Sequence, residues 1–309
     1  MKPWILLAGS VFASFSSFAF ELPHDEVALT LPTTPEKIVT FDLGILDTLH
    51  ALDIPVAGVP KSTYEGGLAP FSTTTVVGSL FEPDYAVLKE IKPDLIFAGG
   101  RSQKAIPELE KIAPTVSFTA DPTAFLSSVE TSTNAIGKAF GKQAQASAAL
   151  AKLNGAVEQL HAANQGKTGV FLFAVKGNVM AHAPGDRFGY AYELSGLKSV
   201  LPANDPNTPS QPRPEPGSPE AKAATAKRAE TLTAAVNADP DWLIVLDRGA
   251  INGGERTAAQ TLAKHPELSQ TRAYKTGHVY YADPNGWYIV TTGLSNLQTI
   301  SADMLKAMK

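Results

Sequence analysis

The sequence contains no cysteine among its 309 residues. That absence removes disulfides, thiolate-held zinc, iron–sulfur clusters and thiol nucleophiles together. Charge is sparse: Asp, Glu, Lys and Arg make up 18% of the chain, and the formal net charge is −4. A broad basic footprint for nucleic acid is therefore excluded. Arginine is scarcer still, with 7 residues against 19 lysines. There is no P-loop, no G-x-G-x-x-G and no G-x-S-x-G elbow, so no enzyme class announces itself. The histidines (His24, His50, His161, His182, His265 and His278) form no H-x-x-x-H pair and no His-rich loop. An imidazole-held zinc or manganese site is disfavoured accordingly. His50, His161 and His265 read as solvated.

Long apolar runs are missing as well, except at the N-terminus. Lys2 precedes an apolar stretch from Pro3 to Ala13 that ends in Ser17-Phe18-Ala19. One positive charge, a short apolar centre and a small-x-small end read as a cleavable secretory signal over residues 1–19. The stretch is too short and too broken by serine to act as a membrane anchor. With no cysteine at the cleavage point to carry a lipid, the sequence predicts a free exported protein, in a bacterial periplasm, with no membrane insertion.

What is present is a chain 44% hydrophobic and about twice the length of a typical domain. From Lys37 to Phe118, short β-rich runs alternate with amphipathic ones. Strands are predicted at 37–41, 56–59, 75–78, 95–98 and 115–118, with helices over 43–52, 85–91 and 102–112. Strands that read as continuously apolar point to a parallel sheet buried on both faces. Residues 122–165 carry no strand signal, and Lys142 to Asn164 place Ala146, Leu150, Leu153, Val157 and Leu160 at helical spacing. Alternation resumes after Gly166, with strands at 169–175, 179–182, 242–246 and 279–281. Helices are predicted over 190–196, 220–238, 257–262 and 291–308, and the proline-rich stretch 201–219 is a loop. The layout is an α/β lobe over 20–141, a connecting helix over 142–165 and a second α/β lobe over 166–309.

The two halves echo one another. Lys92-Pro93-Asp94-Leu95-Ile96-Phe97 leads to Arg101, and Asp239-Pro240-Asp241-Trp242-Leu243-Ile244 leads to Arg248, each arginine eight positions beyond its proline. Open α/β sheets bind ligands at the carboxyl ends of their strands, which is where both arginines fall. Arg101 is the only arginine between Ala19 and Asp186, a span holding eleven lysines. Charge alone would be met by lysine; a guanidinium offers a planar fork that meets anionic oxygens in pairs. Arg187, in the turn Ala183-Pro184-Gly185-Asp186-Arg187-Phe188-Gly189, joins them. The plain alternative is a surface or salt-bridged arginine, since Asp186 precedes Arg187 and Asp247 precedes Arg248. His182, at a strand end near Arg187, is a further ligand candidate. A hydrolase built on Ser102 and His182 is the distant alternative.

At this point the sequence resembles the class III periplasmic substrate-binding proteins of ABC transporters, in the branch that binds iron–siderophores such as enterobactin, petrobactin and anguibactin. The resemblance rests on Lys37 to Gly44 with Leu46-Asp47-Thr48-Leu49, Ala57 to Lys61, Val77-Gly78 before Glu82-Pro83-Asp84, Leu88 to Ile96, Gly100 to Lys104 and Asp186-Arg187-Phe188-Gly189. It implies two Rossmann-like α/β lobes joined by a single long backbone helix, a shallow cleft and little closing motion. By motif, Arg101, Arg187 and Arg248 correspond to the arginine triad with which relatives hold ferric catecholates. Some relatives add a Tyr and a His to the iron shell. Tyr288 falls at the Tyr position, while the 202–219 loop has no His, so direct ligation of iron by the protein is not implied beyond Tyr288. Trp287, beside it, is a further ligand candidate. The resemblance also implies docking on an inner-membrane permease, served by an ATPase, through acidic residues: Glu82 or Asp84 on the first lobe and Glu193 on the second. The familiar first-lobe Glu position reads Ala86. The expected protein is a monomer and not an enzyme, with an Fe(III)–siderophore as ligand and no intrinsic cofactor. A haem- or cobalamin-binding protein is the runner-up, kept open by Tyr288.

Overall fold

In the first half of the chain, apolar residues at successive positions of the central strands face opposite ways, so those strands feed two cores. The computed structural model describes residues 20–24, 28–205 and 214–309. The expected export signal, residues 1–19, lies outside these, as does 206–213 of the proline-rich loop. A hairpin of β1 (Phe20–Leu22) and β2 (Leu29–Leu31) opens the structure. There follow β3 (Ile38–Thr40), α1 (Leu43–Ala51), β4 (Gly58–Val59), β5 (Thr75–Val76), α2 (Tyr85–Ile91), β6 (Leu95–Phe97), α3 (Ile106–Leu109) and β7 (Thr115–Val116). The five larger-sheet strands run parallel in the order β5-β4-β3-β6-β7. Ile38, Leu95 and Phe97 pack with α1 residues Ile45 and Leu49. Their neighbours Val39 and Ile96 pack on the other face with Leu88 of α2 and Leu109 of α3. Burial on both faces is the signature of parallel strands.

The chain then enters α4 (Phe125–Ala139) and α5 (Gln143–Ala163). The second lobe comprises β8 (Thr168–Val175), β9 (Asn178–His182), α6 (Tyr190–Ser195), β10 (Lys198–Ser199), α7 (Pro219–Asn237), β11 (Trp242–Asp247), α8 (Ala258–Lys264), α9 (Arg272–Lys275), β12 (Val279–Tyr281) and α10 (Leu294–Ala307). Its sheet runs β10-β8-β11-β12 in parallel, with β9 folded back antiparallel on the far half of β8. Phe171, Ile244 and Leu246 face a core shared with α5, α6 and α10. Val170, Leu172, Leu243 and Val245 face Leu232 of α7 and Leu262 of α8.

Several contacts hold the lobes together, among them an apolar cluster in which Leu43, Leu46 and Leu68 meet Ile251 and Ile289. Along α5, about 31 Å long at 1.5 Å per residue, Ala146 belongs to the first-lobe core and Leu150 to Leu160 belong to the second. Helix α4 runs beside it in the opposite sense, with Phe125 and Val129 in the second core and Ala135 and Ile136 in the first. A further seam joins α1 to α10. Asp47, only 3% exposed, accepts hydrogen bonds from the backbone N–H groups of Ser295 (2.7 Å) and Asn296 (3.1 Å) at the α10 N-terminus. The contact is close enough that a Cβ on Gly293 would fall 2.7 Å from the Asp47 carboxylate.

The structure departs from the sequence expectation in a few places. The helix predicted over 102–112 is a 3₁₀ segment, Gly100–Ala105, continued by the short α3. Pro107, in the first turn of α3, has no N–H to continue the earlier ladder. The last helix starts at Leu294 rather than Thr291, because Gly286–Val290 forms a wide π-type turn. Strands β1 and β2, three residues each, carry too little periodicity to be read from sequence.

Candidate ligand-binding site

Arg101 follows β6 through two glycines. Gly100 has φ 52°, left-handed backbone that glycine adopts without strain. A Cβ on Gly99 would meet the Ser117 side-chain oxygen at 2.4 Å. Ser102 closes the turn: its hydroxyl donates to the Gly99 carbonyl (3.2 Å) and accepts from the Gly99 N–H (3.0 Å). At 0% exposure and so engaged, Ser102 faces no substrate, and the Ser102–His182 hydrolase loses its nucleophile. The half-buried Arg101 reaches across to the second lobe, where Nη2 donates to the Tyr288 carbonyl at 2.6 Å.

Arg187 stands on the turn after β9, and Arg248 immediately beyond β11; both are exposed. All three guanidiniums gather on one ring. Their central carbons lie 4.4 Å (Arg187), 5.0 Å (Arg248) and 5.1 Å (Arg101) from the Tyr288 centroid, within cation–π reach. Arg187 also lies 5.1 Å from the Phe188 ring. Behind Tyr288, the rings of Phe173 and Phe188 form an apolar floor at 6.1 and 6.2 Å. Among the described residues none of the three arginines makes an ion pair.

The electrostatics carry the mark of this crowding. Burial lowers the pKa of Arg101, and the neighbouring Arg187 charge lowers it further, against the pull of Tyr288 and Asp42. Burial alone would raise the Tyr288 phenol. The charge of Arg187 and its hydrogen bond, then Arg248 and Arg101, outweigh that and hold it below the ordinary tyrosine value. Such a cluster favours an incoming anion with oxygens spread over several directions.

The other candidates are placed elsewhere. Trp287 is a correction: at 0% exposure it lies in the second-lobe core between Phe171 (5.8 Å) and Tyr190 (5.4 Å) and cannot touch a ligand. His182 lies under the Arg187 turn, with Nδ1 hydrogen-bonded to Asp186 at 2.8 Å and its ring against Phe188. Glu193 is a second correction. Both of its carboxylate oxygens accept from the first amides of α4, Phe125 N–H at 2.8 Å and Leu126 N–H at 3.0 Å. It stabilises a helix start and is not free to dock. Glu193→Ala is expected to lower unfolding free energy by about 0.5–2 kcal/mol in urea titrations, with ligand affinity unmoved. Asp84 caps α2 through Ala86 and Val87 N–H, whereas Glu82 is exposed on the preceding turn. Phe173 and Phe188 are the site residues that sequence reasoning missed. Phe188 was legible in the Arg187-Phe188 dipeptide, but an apolar strand residue such as Phe173 looks like any core position. No group of three His, Asp or Glu side chains among the described residues gathers as a metal-binding set, and no helix among them is long and apolar enough to cross a membrane.

Two lobes, each a mainly parallel sheet with helices on both faces, that bring cationic side chains to one shared edge define a bilobed solute-binding protein. The chain belongs to the periplasmic binding protein family, whose pattern matches residues 38–285. It is 30% identical over 291 residues to the petrobactin-binding protein YclQ of Bacillus subtilis, covering 92% of this chain and 85% of YclQ. The crystal structure of YclQ matches with a TM-score of 0.79 at 27% identity, covering 94% of this chain and 99% of the other. The periplasmic catecholate-siderophore binding protein VctP of Vibrio cholerae matches with a TM-score of 0.76 at 26% identity, covering 93% and 99%. The class III architecture expected from sequence is thus the architecture observed.

Proposed function

We propose that this protein captures an anionic ferric siderophore of the catecholate type and delivers it to an inner-membrane ABC permease for iron uptake. The observation that carries this reading is the convergence of Arg101, Arg187 and Arg248 on Tyr288, with none of the three in an ion pair among the described residues. A ferric tris-catecholate carries about three negative charges spread over oxygens around an octahedral metal, and each guanidinium can meet several of those oxygens while lying against a catechol ring. YclQ is named for binding petrobactin, and VctP for binding catecholate siderophores. The iron is cargo, held by the siderophore's own donors, and the protein supplies charge, ring faces and a rigid shelf. Binding and release are the whole activity in this reading, with no bond made or broken by the protein.

The first lobe spans 20–141 and the second 166–309, with 142–165 between them. Residues 1–19 direct export to the periplasm. The protein acts as a monomer, and Glu82 is the remaining acidic candidate for permease contact.

Tyr288 also suits an axial haem ligand, so haem is the competing cargo. Titration separates the two. A ferric tris-catecholate is expected to quench the fluorescence of Trp287, which sits beside Tyr288, whereas a haem protein would shift the Soret band on adding haem. Tyr288 is expected to stay outside the iron shell of a hexadentate complex. The bound complex should then show the same charge-transfer absorption in wild type and Tyr288→Phe; a band present in wild type and lost in the variant would place the phenol on iron.

A further inference from the structure

Arg187 and Arg248 each follow directly on an aspartate, and the obvious ion pair does not form. Asp247, 6% exposed, turns its carboxylate inward, accepting from the N–H groups of Gly249 (2.9 Å), Thr257 (2.5 Å) and Ala258 (2.7 Å). Ala258 is the first residue of α8, so the same carboxylate stabilises that helix start. The loop between is wound tightly: a Cβ on Gly254 would fall 2.0 Å from the Gly249 carbonyl oxygen. Asn252, with φ 57°, donates its N–H to Asn285 Oδ1 at 2.8 Å. That bond ties the Arg248 loop to the turn bearing Tyr288.

Asp186 repeats the device. One oxygen accepts from Phe188 N–H (2.9 Å); the other accepts from Ala183 N–H (3.1 Å) and meets His182 Nδ1 (2.8 Å). Here too the loop closes tightly, since a Cβ on Gly189 would fall 2.6 Å from the Gly185 nitrogen.

We infer that Asp247 and Asp186 are positioning residues for ligand capture: each fixes the loop that carries the next residue and keeps the nearest carboxylate off that guanidinium. The two effects are inseparable, because the hydrogen bonds that hold the loop are the same ones that turn the carboxylate onto the backbone and not onto the arginine. The outcome is a pair of pre-placed, uncompensated cations in the empty protein, which lowers the ordering cost of binding. This inference rests on the anion-capture reading above and adds how the second-lobe charges are kept available.

Asparagine is the informative substitution, since its NH₂ must face backbone donors that the carboxylate oxygen accepted. Asp247→Asn is expected to weaken binding of a ferric tris-catecholate about tenfold in the wild-type background and less than about twofold in the Arg248→Ala background. An equal loss in both backgrounds would mark Asp247 as merely structural and overturn the inference, as would no loss in wild type. Asp186→Asn with Arg187→Ala runs the same cycle on the other loop and decides the matter if Asp247→Asn does not fold. A second readout needs no ligand. The Arg248 Nε–H resonance of the empty protein should be shifted by the Tyr288 ring and should lose that shift in Asp247→Asn; an unchanged resonance contradicts the inference. Failure of the wild-type protein to bind the tris-catecholate would count against the anion-capture reading, and this spectroscopic arm would still decide the role of Asp247.

Discussion

Replacing Arg101 and Arg248 together by alanine is expected to weaken binding of a ferric tris-catecholate by about 10² to 10⁴-fold. The figure follows from two charge-assisted contacts at about 1.5–3 kcal/mol each. The pair is chosen because one arginine comes from each lobe, so neither can stand in for the other. The losses need not add. All three guanidiniums share the Tyr288 ring, and Arg187 already opposes the charge on Arg101. Removing Arg101 therefore relieves some repulsion in the empty protein, and the double variant should fall short of the sum of the singles. Lysine replacements should land between wild type and alanine, because they keep the charge and lose the fork. The check is a fluorescence titration at fixed ionic strength, since contacts between exposed charges weaken with salt.

Asp47→Ala is expected to lower unfolding free energy by about 2–4 kcal/mol at pH 7, while Asp47→Asn keeps or raises it. The alanine variant leaves the N–H groups of Ser295 and Asn296 without their acceptor in a seam where Asp47 is 3% exposed. Asparagine retains an acceptor and is a good helix cap. It also removes the cost of a buried charge. Burial raises the Asp47 carboxyl above 3.8, against the opposing pull of the Asn296 and Ser295 amides. A raised folded-state pKa means that the folded protein holds this proton when the unfolded chain has released it. The Asp47 contribution is thus full below the unfolded value and falls away as pH rises from there through the folded value. Urea titrations across that range should show a steeper decline in wild type than in Asp47→Asn, where the buried Asp42 carboxyl, raised in the same way, still contributes. Because the α1–α10 contact is one of the seams between the lobes, the alanine variant should also weaken ligand binding, through misplacement of Arg101 relative to Arg248.

Much of the architecture was readable because its causes are local. Leu95-Ile96-Phe97 and Leu243-Ile244-Val245 are apolar at every position, as strands buried on both faces tend to be. The spacing of Leu150, Leu153, Val157 and Leu160 declares one face of α5. The site was readable for a different reason: in a chain so short of arginine, Arg101 and Arg248 stand at matching positions of two similar segments. What escaped the sequence depends on distant partners. Glu193 looks like any helix-borne carboxylate, and its two hydrogen bonds go to residues 68 and 67 positions away. Trp287 adjoins Tyr288 in sequence, yet neighbouring side chains leave a turn in different directions, one into the core and one to the cleft. Nor does the sequence reveal that Asp186 and Asp247 turn away from the arginines beside them, since adjacency suggests an ion pair and only the backbone amides of the folded loops say otherwise.

Recognition of a multiply charged ferric anion through guanidinium groups from both lobes, as proposed above, is open to a direct test. The most direct measurement is a paired titration of the wild-type protein with a ferric tris-catecholate and with an electrically neutral ferric tris-hydroxamate, followed by tryptophan fluorescence. Submicromolar binding of the tris-catecholate is expected, and binding at least about 100-fold weaker for the neutral complex, the equivalent of one or two charge-assisted contacts. Equal affinity for the two complexes, or tighter binding of the neutral one, would contradict this mode of recognition.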